Sequence, residues 1–315
     1  ISMSPNSDLT LSKITIQNGF NGIRGGGIYN NSGDLTISNS LITNNESTDS
    51  GGGIHSNGGG GSASVLIENS TISLNSSTLN GGGIFNYNNS TLTISSSTIL
   101  GNTGGNHGGG VLNNNSSLSI SSSTISGNIS NQSGGGIYNV VGTVTISSST
   151  ISGNIGLTGG GGVANVNNSV LTIVSSTISG NQANKGGGVA NYESTLTITS
   201  SSLSANQAIS AVANDGGGAI FTVGTVPNPA SVLIQNSTVS QNSSLRDGGA
   251  FFNSAISTLT VSGSTISNNT SNFDGGAIEN SDATVLITNG SVLTNNQASQ
   301  FGGGIHSSQS GSSIT

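Results

Sequence analysis

Gly134-Gly135-Gly136-Ile137-Tyr138-Asn139-Val140-Val141-Gly142-Thr143-Val144-Thr145-Ile146-Ser147-Ser148-Ser149-Thr150-Ile151-Ser152-Gly153-Asn154 is the stretch on which the fold turns. It holds three short segments in which apolar residues alternate with small or polar ones: 136–139, 144–146 and 150–152. Each carries β-branched residues and is bounded by Gly, Ser or Asn, the pattern of a strand between turns. No window places apolar residues at helical spacing, and the Ser, Thr and Gly content disfavours helix.

Working outward, the same pattern returns along the chain. The apolar residue after the glycines is Ile28, Ile54, Ile84, Val111, Ile137, Val163, Val189, Ile220, Phe251, Ile278 and Ile305. The spacing runs from 26 (Ile28 to Ile54) to 31 (Val189 to Ile220). A fixed period of this size marks a repeat architecture, in which each unit buries its apolar face only by stacking on its neighbours. Three strands per repeat, with no room for a returning helix, predict an all-β fold. It is a single right-handed parallel β-helix over residues 1–315, with about eleven coils of about 26 residues.

Register supports this. The second strand aligns Leu35/Ile37, Val65/Ile67, Leu92/Ile94, Leu118/Ile120 and Val144/Ile146, and so on to Val285/Ile287. The third aligns Ile42, Ile72, Ile99, Ile125, Ile151 and Ile178 and continues to Leu293. These columns should point inward, with Thr71, Thr98, Thr124 and Thr150 beside them pointing out. Two Asn columns should mark corners. Asn45, Asn75, Asn102, Asn128, Asn154, Asn181, Asn206, Asn242, Asn269 and Asn296 form one without a break. The other runs from Asn30 to Asn280 with Ser56 and Thr222 as interruptions. Asn tolerates left-handed turns, and stacked amides can bond up the axis. The glycines should supply positive φ and close approach between coils. Insertions should fall between strands, at 57–62, 209–215 and 226–230.

Composition narrows the function. Charged residues are 5% of the chain, and 11 acids against 4 bases leave a net charge of −7. That disfavours a nucleic-acid partner. Cysteine is absent, which removes disulfides and thiol chemistry. No apolar run approaches the roughly 18–20 residues of a transmembrane helix. The chain opens at Ile1 in a strand-like stretch and stops at Thr315 as a repeat begins, so we expect a segment of a longer exported protein. Ends without visible caps would further allow head-to-tail stacking into a fibre.

The Gly-Gly-(Gly/Ala)-Ile-x-Asn motif, paired with Ser-Thr-Ile-Ser-Gly-Asn, resembles the repeats of bacterial right-handed β-helix surface proteins. The chlamydial polymorphic outer-membrane proteins, with GGAI and FxxN repeats, are one such group. Gly275-Gly276-Ala277-Ile278 matches GGAI literally, whereas most copies carry three glycines. The FxxN half is replaced by Ser-Thr-Ile-Ser-Gly-Asn. The resemblance covers nearly the whole chain. It implies an exported, surface-associated protein with adhesive or structural roles, and no reaction. The β-barrel autotransporter domain of that group has no counterpart in residues 1–315.

A polysaccharide-cleaving β-helix would need clustered carboxylates. None lies between Glu68 and Glu193. Asp215, Asp247 and Asp274 precede the glycines in three successive repeats, Asp215 displaced by one residue. Stacked about 5 Å apart, they could hold a structural cation, or they could be ordinary Asp-Gly turn residues. No Ser-His-Asp arrangement can be built with His55, His107 or His306, and no helix follows the glycines to make a phosphate loop. The residue after the inward aliphatic should face outward in the first strand. Its column includes Tyr29, His55, Phe85, Leu112, Tyr138, Phe221, Phe252, Glu279 and His306. An apolar stripe on an outward face suggests a cover: another rod, a flanking segment or a carbohydrate ring. The sequence thus predicts a non-catalytic extracellular structural protein or adhesin that associates with itself or with other surface proteins. A carbohydrate-binding or carbohydrate-cleaving β-helix is the alternative. The outward Thr-x-Ser pairs, such as Thr124/Ser126, make an ice-binding face a third.

Overall fold

The computed structural model describes residues 1–59, 61–309 and 311–315. Among these every regular element is a strand, and no helix is long and apolar enough to cross a membrane. The chain forms two compact units, residues 1–156 and 157–315. Each is a parallel β-solenoid with four sheets, and each first sheet holds six strands, about twelve turns in all.

One coil of the first unit shows the plan. Its strands are Ile84–Tyr87, Ser90–Ser95, Thr98–Leu100 and Thr103–Gly104. The second unit repeats it with Phe251–Ser254, Ser257–Ser262, Thr265–Ser267 and Thr270–Ser271. Neighbouring coils pair in parallel and in register: Ile84 with Val111, Leu92 with Leu118, Ile99 with Ile125. The three longer strands fall where alternation placed them. The fourth, two residues long, was not foreseen: it has no apolar alternation to betray it.

The inward columns are buried. Ile94, Ile120 and Ile146 are fully covered, as are Ile99, Ile125 and Ile151. Each such side chain contributes about 1.5–3 kcal/mol by the area removed from water. Because the coil is narrow, its corners must also be built from buried polar groups, and these are paired between coils. In the unbroken column the Asn102 backbone N–H and side-chain Nδ2 both donate to Asn128 Oδ1, at 2.9 and 3.0 Å. Asn128 Nδ2 donates to the Ile99 carbonyl at 3.0 Å. The second unit repeats this at Asn206, Asn242 and Asn269. The other Asn column also bonds along the axis, as from Asn86 to Asn113 and on to Asn139. The left-handed turn expected of the unbroken column sits one residue earlier, at Asn44, Leu74, Gly101 and Gly127. The Asn itself serves as the rung.

A third ladder was hidden by the abundance of serine. The Ser70 N–H donates to Ser97 Oγ, Ser97 N–H to Ser123 Oγ and Ser123 N–H to Ser149 Oγ, at 3.0–3.1 Å. It turns the chain between the second and third strands. The insertions lie between strands as expected. Gly60 of the 57–62 loop, and Ser310 of the last repeat, lie outside the described residues.

Candidate functional site

The outer face of the first sheet was expected to need a cover from another rod, a flanking segment or a sugar ring, and much of that cover is local. Phe85, Leu112, Phe221 and Phe252 are only 8, 3, 4 and 2% exposed, and Tyr29 and Tyr138 are half-buried. The cover is the chain itself. After the fourth strand the residues before the glycines fold back over this face. The first glycine of each triplet, with φ of 61–69° at Gly81, Gly108 and Gly134, lets them do so. A Cβ on Gly81 would stand 2.5 Å from the Ile84 carbonyl oxygen. A three-strand coil leaves the face bare, whereas the fourth strand and its turn close it. Within each unit, Phe85 and Leu112 in the first and Phe221 and Phe252 in the second belong to a small second core, with Tyr29 and Tyr138 at its half-buried margin.

Rings pack within this layer. In the first unit His55 lies 5.4 Å from Tyr29 and 4.9 Å from Phe85, centroid to centroid, and His107 stacks on Tyr138 at 4.3 Å. His55 Nδ1 is 3.3 Å from the Ser50 carbonyl, which places its proton there. Its Nε2 is buried without a hydrogen-bond partner among the described residues. Burial therefore lowers His55 to about 4, and lowers His107 as well.

In the second unit charge enters the same layer more deeply than in the first, where Arg24 and Asp49 pair at 3.4 Å with both side chains partly exposed. Asp215 accepts from Lys185 Nζ at 2.7 Å and from the Ser210 hydroxyl. Lys185 also stands 5.4 Å from the Phe221 ring centroid. Asp247 Oδ1 accepts the Asp274 backbone N–H at 3.3 Å. Arg246 Nε is 3.4 Å from Asp247 Oδ2 but lacks the alignment of a hydrogen bond. The Arg246 guanidinium lies instead over Phe273 at 3.7 Å. Asp274 Oδ1 accepts the Phe301 N–H at 3.0 Å. The Asp column is present, with the one-residue displacement: Gly216, not Asp215, bridges to Asp247. Its carboxylates do not converge. Among the described residues no group of three or more His, Cys, Asp or Glu is disposed to hold a metal ion. A cation shared by Asp215, Asp247 and Asp274 has no geometric support.

The sequence reading missed Glu279. It is 4% exposed and accepts from His306 Nδ1 at 2.8 Å and from the Ser308 hydroxyl at 2.7 Å. His306 Nδ1 also lies 3.7 Å from Asp274 Oδ2. The signal was available, since Glu279 and His306 are register partners in adjacent coils. Reading the column as an aromatic stripe obscured it. Burial raises both Glu279 and Asp247 above the ordinary carboxylate range. The arrangement can tie successive coils together and can exchange protons, but it faces a packed layer.

An open site lies elsewhere. A polar groove of about 380 Å³ crosses three coils of the first unit, along the corner between the first and second strands. Asn89, Asn115 and Val141 form one rim, and Thr91, Ser117 and Thr143 the other.

No family model and no curated protein matches this chain. Among solved structures it is similar to that of pectate lyase Pel9A, at a TM-score of 0.46 and 12% identity, covering 94% of this chain and 79% of that one.

Proposed function

We propose that the chain is a non-catalytic structural or adhesive element of a cell surface or extracellular matrix. One observation carries this reading. Asp215, Asp247 and Asp274, and Glu279 in the adjoining column, are each held by the protein's own lysine, histidine, hydroxyl or backbone N–H groups. Acids committed in this way seal the flank of the coil and are not set facing each other across an open cleft, as acid–base cleavage of a polymer requires. The surface placement rests on the likeness of the Gly-Gly-(Gly/Ala)-Ile-x-Asn repeats to those of bacterial surface proteins. Incubation with acidic and neutral polysaccharides, followed by an assay for reducing ends and unsaturated products, is expected to release nothing. Turnover that disappears in Asp247→Asn or Asp274→Asn would overturn the reading.

A further inference from the structure

The groove at Asn89–Thr143 differs from the covered face in that the polar side chains of its rims face solvent, while Ser90 and Ser116 on its floor are bonded within the fold. Thr91 pairs in register with Ser117, and Ser117 with Thr143, so the three hydroxyls form a column. All three residues are exposed, as are Asn89 and Asn115. Their side chains make no hydrogen bond to another described residue. The backbone is already used: Asn89 N–H bonds to the Asn115 carbonyl and Asn115 N–H to the Val140 carbonyl. The groove thus offers rows of amide and hydroxyl groups at the coil spacing of about 4.8 Å. Its volume is within the usual range of ligand sites, about 300–1,000 Å³.

Two further features select the occupant. Residues 69–184 contain no Asp, Glu, Lys or Arg. An acidic polymer would find no cation to pair with, and a basic one no anion. Nothing in this stretch repels a neutral one. The second feature is Val141. It is 55% exposed and holds φ at 51°, a region that a β-branched residue enters only under strain. The equivalent corners carry Asn89 and Asn115, which tolerate it. A strained, exposed apolar side chain at the end of a row of amides offers a C–H surface beside hydrogen-bonding groups.

We infer that this groove binds a neutral polysaccharide, its hydroxyls bonded by Asn89, Asn115 and the Thr91–Ser117–Thr143 column, and one sugar face resting on Val141. The inference deepens the adhesive reading above and rests on it. Affinity electrophoresis of the whole chain tests it, in gels holding xylan, mannan, mixed-linkage glucan or galactan, with polygalacturonate as the acidic arm. At least one neutral polysaccharide should retard the protein, and polygalacturonate should not. Asn115→Asp keeps a residue suited to the turn but replaces a donor by a charge, and Val141→Asn removes the apolar contact. Each should weaken retardation about tenfold, the size of one lost hydrogen bond or small apolar contact. Val141→Asn should at the same time hold or raise the melting temperature, a divergence that a purely structural role would not produce. No retardation in any neutral gel, retardation by polygalacturonate alone, or retardation unchanged in both variants would overturn the assignment. Sugar release alongside retardation would instead sink the non-catalytic reading and leave the groove standing.

Discussion

In residues 1–156 the layer beneath the pre-glycine turns is filled by Tyr29, His55, Phe85, Leu112 and Tyr138. In residues 157–315 the same column runs from Ala164 and Ala190 through Phe221 and Phe252 to Glu279 and His306. The first unit closes its flank mainly with rings and neutral imidazoles, its one ion pair there among the described residues being the partly exposed Arg24 and Asp49, and the second buries carboxylates with their cationic and imidazole partners. The backbone plan is the same in both, with the same four sheets and the same Asn rungs. The coil therefore does not dictate what seals it. It demands buried volume and satisfied polar atoms, and two chemistries supply them. What the units share should be equally costly to break in each, and what differs should separate them.

The shared Asn rung should give the largest effect. Asn128→Leu in the first unit and Asn242→Leu in the second both delete an amide that accepts two hydrogen bonds. Each also removes its donor bonds to the neighbouring coils. Leu fills similar space, so the loss is mainly in stranded polar partners, and each substitution should cost about 3–5 kcal/mol. Denaturant midpoints, with hydrogen exchange to assign the transition, measure it. A cost under about 1 kcal/mol in one unit only would show that the rungs matter unequally and that the shared plan is an illusion of register.

The two flank chemistries should answer pH in opposite directions. His55 is depressed to about 4 from 6.5. Between these values the unfolded chain binds a proton that the folded one refuses. Stability of the first unit therefore rises with pH across that window, and acidification removes on the order of 3 kcal/mol. His55→Phe should abolish this slope. Glu279 and Asp247 are raised by burial. Each folded carboxyl holds its proton above the pH at which the unfolded one loses it. Their contribution to the second unit is complete below the ordinary carboxylate pKa and is lost as pH rises through the folded value. Glu279→Gln should flatten that second slope. Hydrogen exchange at pH 5 and pH 8, read separately on strands of each unit, tests both. Slopes of the same sign in the two units would break the comparison.

How far this organisation could be read beforehand depends on the kind of signal. The inward Ile and Leu columns were legible because burial on one side of a strand imposes a period of two. The Asn rung was legible because no substitution interrupts it between Asn45 and Asn296. The Ser70–Ser97–Ser123–Ser149 ladder is just as regular, but serine is so common here that a column of it carries little information. The fourth strand was not legible: Glu46-Ser47, Ser76-Ser77 and Thr103-Gly104 carry no apolar residue, and their second position holds only a small one, Ser or Gly, in a chain rich in both. That one omission exposed Phe85 and Phe252 on paper, and it made Glu279 look like an exception in a stripe when it is half of a bonded pair. Alternation tells which side of a strand is apolar. It does not tell that another part of the chain will cover the opposite side.

The smallest expected difference concerns the third glycine of the triplet. The second unit carries Ala219, Ala250 and Ala277 there, all fully buried, in three of its six repeats and glycine at Gly162, Gly188 and Gly304, while the first has only glycine, at Gly27, Gly53, Gly83, Gly110 and Gly136. A Cβ built on Gly110 would meet the Gly136 carbonyl oxygen at 2.6 Å and the Asn128 side chain at 3.2 Å. Taken alone, those contacts forbid alanine. Yet the second unit accommodates it three times beside the same kind of Asn rung, so the coil can yield by the few tenths of an ångström required. Alanine also restricts the unfolded chain, a gain of about 0.4–1 kcal/mol where the native backbone accepts it. The two terms nearly cancel. Gly110→Ala should change stability by no more than about 1 kcal/mol in either direction, as read from the denaturant midpoint. A loss well beyond that would mean the glycine-only first unit is packed more tightly along its axis. The alanines of the second would then mark a real difference in coil geometry and not a neutral exchange.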